Sequence, residues 1–171
     1  KDTLVVTSMS NLGLHDAMAE HGIDVVTTDV GDRCVIEAML EHDYCLGGEK
    51  CGHLIFKDYA TTGDGIIAAL QVLQLMRRTG KTVAELAACM TEYPQSLVSF
   101  KVREKPPLEK LSRLQAVLAE CEVALAGKGR TVVRYSGTEP KIRVLVEAAE
   151  EATVEHWRDR LVEAIREEIG A

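Results

Sequence analysis

Over the first half of the chain, short β-branched runs alternate with amphipathic runs bounded by turn residues, which is the pattern of α/β units. Strands are predicted at 4–7 and 23–27. The helix between them is capped by Ser10-Asn11 and closes near His21-Gly22, where glycine suits a left-handed exit. A second helix is predicted over 33–42. The apolar runs 44–46 and 54–56 read as strands holding the glycine-rich turn 47–53 between them. Gly63-Asp64-Gly65 opens a helix reaching Arg78, and Thr82 with Glu85 forms a capping box for a last helix before Pro94.

Alternating charges and the pair Pro106-Pro107 then interrupt the pattern over 99–108, which marks a domain junction near 95–105. Beyond it come a helix over 108–126, a strand over 130–134, a strand over 141–147 and a helix over 153–169. The expected architecture is an α/β domain, residues 1–98, followed by a small α+β domain, residues 99–171, with an antiparallel sheet and two helices on one face.

Composition narrows the partners. The formal net charge of −7 argues against nucleic acid and against an anionic membrane surface, and no apolar run approaches the roughly 18 residues of a membrane span. Five cysteines, an odd number with no CxxC pair, suit a reducing cytoplasm. Cys45, Cys51 and His53 lie close in sequence but lack the fourth ligand and the tight cysteine pair of a structural zinc site, so no metal is expected in this chain. The first residues enter a strand directly, without Met or lead-in, so the chain reads as beginning mid-protein.

Against this acidic background, residues 128–143 carry Lys128, Arg130, Arg134, Lys141 and Arg143 against Glu139 alone. Arg134 and Arg143 leave two strand ends beside one turn, where backbone N–H groups and the hydroxyls of Ser136 and Thr138 can converge on an anion. Guanidinium forks match phosphate geometry. The competing reading is a solvated hairpin whose arginines pair with the acidic helix that follows.

The wording of two segments carries a resemblance. Arg134-Tyr135-Ser136-Gly137-Thr138-Glu139-Pro140 with Arg143 resembles the Arg-x-Ser-Gly-Thr-Glu-Pro-x-x-Arg loop that closes the fourth domain of phosphohexomutases. Gly48-Glu49-Lys50-Cys51-Gly52-His53 resembles the third-domain sugar loop of the same superfamily, Gly-Glu-x-Ser-Gly-His, with Cys51 in place of serine. Val30-Gly31-Asp32-Arg33, Thr61-Thr62-Gly63-Asp64-Gly65 and Ser8-Met9-Ser10-Asn11-Leu12-Gly13 resemble its glucosamine branch, and the matches span nearly the whole chain. Phosphomannomutase or phosphoglucomutase, and a non-catalytic phosphosugar-binding module, remain the alternatives.

That resemblance implies a sugar-binding third domain followed by a phosphate-binding fourth domain. Arg134, Ser136, Gly137, Thr138 and Arg143 inherit contacts to the phosphate that is not transferred. Glu49 inherits recognition of sugar hydroxyls, as two acceptor oxygens suit neighbouring hydroxyls that exchange places when the ring turns over. Cys51 takes the position of a hydroxyl donor, with a small buried side chain as its plainer reading. His53 falls near the reacting phosphate, although a histidine in this setting is often a structural hydrogen-bonder. Arg33 is expected to face the cleft, against the default of a surface charge. The superfamily's phosphorylatable serine loop and Asp-rich magnesium loop are not found in these residues. The implied reaction, glucosamine 6-phosphate to glucosamine 1-phosphate with Mg2+ in the cytoplasm, therefore needs N-terminal domains besides this chain, and the chain alone is expected to be inactive.

Overall fold

The computed structural model describes residues 2–171 and divides them into two compact units, one ending at Glu92 and the other starting at Tyr93. The first unit contains β1 (Thr3–Thr7), α1 (Leu12–Glu20), β2 (Asp24–Thr28), α2 (Asp32–His42), β3 (Leu46–Gly48), β4 (Leu54–Phe56), α3 (Gly65–Thr79) and α4 (Val83–Ala87). Its sheet runs β2-β1-β3-β4, with β1 parallel to both neighbours and β4 antiparallel to β3. The period-2 alternation of a strand sorts its side chains between the two faces. Val5 and Ile55 pack with Val35 and Met39 of α2, while Leu4, Val6, Leu54 and Phe56 line a cleft elsewhere in the unit.

Local chemistry accounts for the element ends. The Asn11 side chain caps α1 by accepting from the Gly13 N–H, Asp64 caps α3 by accepting from Ile66 and Ile67, and Thr82 and Glu85 form the expected capping box. The predicted strand 44–46 is displaced to Leu46–Gly48. Asp43 leaves α2 in the left-handed region at φ 58, and Tyr44 N–H still donates to Met39, so pairing with β1 starts only at Leu46.

The second unit contains β5 (Gln95–Lys101), α5 (Ser112–Leu125), β6 (Gly129–Tyr135), β7 (Lys141–Ala148) and α6 (Glu151–Ile169). The antiparallel sheet runs β5-β7-β6. Its core joins Ile142, Val144 and Val146 to an α6 stripe of Val154, Trp157, Leu161, Ile165 and Ile169, at the spacing of one helical face. Each large aliphatic side chain so buried contributes roughly 1.5–3 kcal/mol. Leu114 and Cys121 of α5 complete the core. The helix expected over 108–126 is instead a single 3-10 turn at Leu108–Lys110 followed by α5. The Glu168 carboxylate of α6 accepts from the first N–H groups of α5, Arg113 and Leu114.

The unit border precedes the expected boundary at 98/99. Residues 95–101, partly read as linker, pair along their whole length with β7, and the alternation of half-buried Ser96, Val98 and Phe100 is that of a strand. Residues after β5 also stay within the second unit: Val102 N–H donates to Pro140, and Arg103 N–H to Ile169. None of the helices among the described residues is long and apolar enough to cross a membrane.

Candidate functional site

In the first unit, the turn between β3 and β4 is a tight hairpin. Glu49 N–H donates to the His53 carbonyl at 2.8 Å, Gly52 N–H to the Glu49 carbonyl at 3.1 Å, and Gly52 takes φ 93, a conformation that favours glycine. This closure brings ligand atoms of Glu49, Cys51 and His53 to within 4.8 Å of one another. Glu49 is half-buried, and its Oε1 accepts from the Gly31 N–H at 3.1 Å, at the start of α2, where the helix favours negative charge. Its Oε2 faces the Cys51 thiol at 3.8 Å. Cys51 is exposed, not the small buried side chain of its plainer reading.

The His53 Nε2 lies 4.0 Å from Asp32 Oδ2. Its ring rests against Gly63, where any Cβ would collide with the imidazole. Gly31, Asp32 and Gly63 thus shape the loop, a role that sequence reasoning does not assign to them; the signal they carry is that their segments belong to the resemblance to the glucosamine branch. Arg33 begins the same helix but turns its guanidinium along it, pairing with Glu37 at 2.7 Å in an exposed i,i+4 contact that raises its own pKa. The loop lies beside an apolar cleft lined by Leu4, Val6, Leu46, Leu54 and Phe56, with Glu49 and Lys50 in the same lining.

In the second unit, β6 and β7 hold the turn 136–140 between them. Arg134 and Arg143 are direct partners across the ladder. Both are half-buried, and neither makes an ion pair among the described residues, so the pairing with the acidic helix that the competing reading required does not form. The one acidic side chain of the turn is engaged elsewhere: Glu139 pairs with Lys141 at 2.6 Å, and the hydrogen bond and charge of Lys141, with a smaller effect of Arg143, hold its carboxyl below the usual carboxylate range. Arg130 is likewise committed, to the fully buried Glu147 at 2.7 Å. Ser136 is buried and its N–H donates to the Lys141 carbonyl, whereas Gly137 and Thr138 are exposed at the tip.

The stretch that joins β5 to the 3-10 turn straps this loop from below. Lys105 Nζ donates to the Ser136 carbonyl at 2.6 Å, and Tyr135 Oη donates to the Pro106 carbonyl at 2.8 Å. Two prolines in that stretch hold the strap extended.

Comparison with known proteins finds a family match in each unit. The α/β/α domain III of phosphoglucomutase/phosphomannomutase matches residues 1–93, and the C-terminal domain of the same family matches residues 97–164. The chain belongs to this family. Phosphoglucosamine mutase of Lactococcus lactis subsp. cremoris is 50% identical over 173 residues, covering 99% of this chain and 38% of that protein. The Bacillus subtilis phosphoglucosamine mutase is 46% identical over 169 residues with the same coverage. Thus the chain spans 38% of the length of these relatives. Among solved structures, Aspergillus fumigatus N-acetylphosphoglucosamine mutase in complex with GlcNAc-6P and magnesium superposes with a TM-score of 0.81 at 23% identity, over 95% of this chain and 41% of that one. A phosphoglucomutase/phosphomannomutase family protein of Burkholderia thailandensis gives 0.73 at 19% identity, over 96% and 37%. At these identities the structures establish the fold.

Proposed function

We propose that the chain is the sugar- and phosphate-recognising part of a phosphoglucosamine mutase, which interconverts glucosamine 6-phosphate and glucosamine 1-phosphate. The observation that carries this is the pair Arg134 and Arg143, opposed on adjacent strands with no carboxylate between them, beside a turn in which Ser136 is buried and Gly137 and Thr138 are exposed. Two like charges held side by side disfavour one another, and a phosphate dianion relieves that with charge-assisted hydrogen bonds. Glucosamine is favoured over mannose or glucose because the relatives at 46–50% identity are named phosphoglucosamine mutases.

In this reading Glu49 accepts from sugar hydroxyls through the oxygen not bound to Gly31, and Cys51 donates weakly beside it. His53, steadied by Gly63 and Asp32, exchanges hydrogen bonds with the reacting phosphate. Arg33 joins the site only by leaving Glu37, an exposed and solvent-screened pair that holds it weakly.

The whole protein would be a phosphoserine enzyme of the cytoplasm, supplying amino sugar for cell-wall precursors, with its serine loop and its Mg2+ on other domains. The metal-competent cluster of this chain does not fit Mg2+: a thiol and an imidazole beside one carboxylate are soft donors, where magnesium takes oxygen. The exposed apolar face of α3, Ile66, Leu70 and Leu73, suits burial against such further domains. Calorimetric titration of glucosamine 6-phosphate into the chain and into its Arg134→Ala/Arg143→Ala double variant tests the reading. Binding by the first and loss in the second is expected; equal heats would refute it.

A further inference from the structure

We infer that Glu49, Cys51 and His53 form a binding site for a thiophilic divalent cation of the zinc class. Carboxylate oxygen, thiolate sulfur and imidazole nitrogen are all ligands that zinc takes, and three protein ligands with one open position is a common zinc arrangement. Their ligand atoms already lie within 4.8 Å of one another. The scaffold is ordered by backbone closure from Glu49 to His53, and one Glu49 oxygen is fixed by the Gly31 N–H. Asp32 Oδ2 lies 4.0 Å from His53 Nε2, beyond a hydrogen bond as it stands but close enough to reach the one by which a carboxylate orients a metal-bound imidazole.

The set differs from the trio that sequence proximity suggests: Cys45 is not a member, and Glu49 is. It also depends on the one departure from the family's sugar loop. A serine at position 51 would leave carboxylate and imidazole alone, without the sulfur that gives selectivity for soft ions. On binding, the Cys51 thiol releases its proton to solvent and the sulfur lone pair forms the bond to the metal; no electron is transferred. Because the ion would occupy Glu49, metal and sugar phosphate should exclude one another, a consequence that rests on the function proposed above.

The test is titration of the chain with cobalt(II), as a coloured stand-in for zinc, and with zinc itself by calorimetry. One cobalt per chain with thiolate-to-cobalt charge-transfer absorption is expected. Cys51→Ser, at an exposed position that leaves the fold intact, should abolish the band and weaken zinc binding by at least the roughly 10- to 100-fold typical of losing an outer-shell partner. His53→Gln should weaken it similarly, while Cys45→Ser and Cys89→Ser leave it unchanged. Survival of band and affinity in Cys51→Ser, or their loss in Cys45→Ser, would overturn the site. Should zinc bind as expected yet leave glucosamine 6-phosphate binding untouched, the metal site stands and the sugar role of Glu49 fails.

Discussion

Arg134 and Arg143 face each other across the β6–β7 ladder at the mouth of the turn 136–140, two cations in a register that opposes like charges. Such a pairing costs stability in a free sheet. Single Arg134→Ala or Arg143→Ala variants should therefore melt no lower than the parent chain. Each should lose about ten- to a hundredfold in affinity for a hexose phosphate, the equivalent of roughly 1.5–3 kcal/mol per charge-assisted contact. Thermal melts paired with calorimetry read both quantities, and a lowered melting temperature without an affinity change would show a structural role instead.

The strap beneath the loop should matter for shape more than for charge. Lys105→Met removes the hydrogen bond to the Ser136 carbonyl, and Tyr135→Phe removes that to Pro106. Faster amide exchange over 136–141 is expected in both, with the sheet unaffected. Unchanged exchange would mean that the turn holds its shape without them.

Gly137 has space beside it, as a Cβ there meets no protein atom within 4 Å. Gly137→Ala should keep the fold and lose phosphate affinity by crowding the ligand. Gly63→Ala should do the opposite kind of damage, pushing the His53 imidazole off its seat and shifting its ring resonances in NMR spectra. An unmoved His53 resonance in that variant would contradict the packing described here.

For Glu49, replacement by Gln should impair sugar phosphate binding more than replacement by Asp, because the Gly31 N–H occupies one acceptor oxygen and an amide has no second oxygen for the sugar and adds a donor. Cys51→Ser should be neutral or mildly favourable toward the sugar. Calorimetry of the three variants gives the ranking, and the reverse order for Gln and Asp would remove the two-acceptor argument.

Cys121 is fully buried beside α6, and burial pushes its thiol up to about 11. It should resist alkylation under conditions that label exposed Cys45, Cys51 and Cys89. As pH rises from about 9 through about 11, the unfolded thiol gives up its proton while the folded one keeps it, so the folded state loses stability over that window. Cys121→Val should flatten this alkaline loss in pH-dependent melts; an unchanged slope would assign it to other groups.

Most of the fold was legible where local chemistry decides: the Asn11, Asp64 and Thr82 caps and the α6 stripe follow from side chains a few residues apart. β5 was obscured because its strand alternation runs straight into charged residues and prolines, and only pairing with the distant β7 reveals it. The displacement of β3 came from the left-handed exit at Asp43, a conformation unusual outside glycine. The two loops were legible as motifs, yet their supports were not. Gly31 acts through a backbone N–H eighteen residues from Glu49, and Lys105 through a carbonyl thirty-one residues away, contacts that no local spacing encodes.

We propose that this chain recognises the phosphosugar and does not transfer phosphate. The most direct measurement is an NMR titration of the chain with glucosamine 6-phosphate, run beside a coupled mutase assay with magnesium and a bisphosphate activator. The prediction is amide shifts over 49–53 and over 136–139 with no turnover above the enzyme-free control. Turnover, or a titration that leaves both loops unmoved, would contradict it.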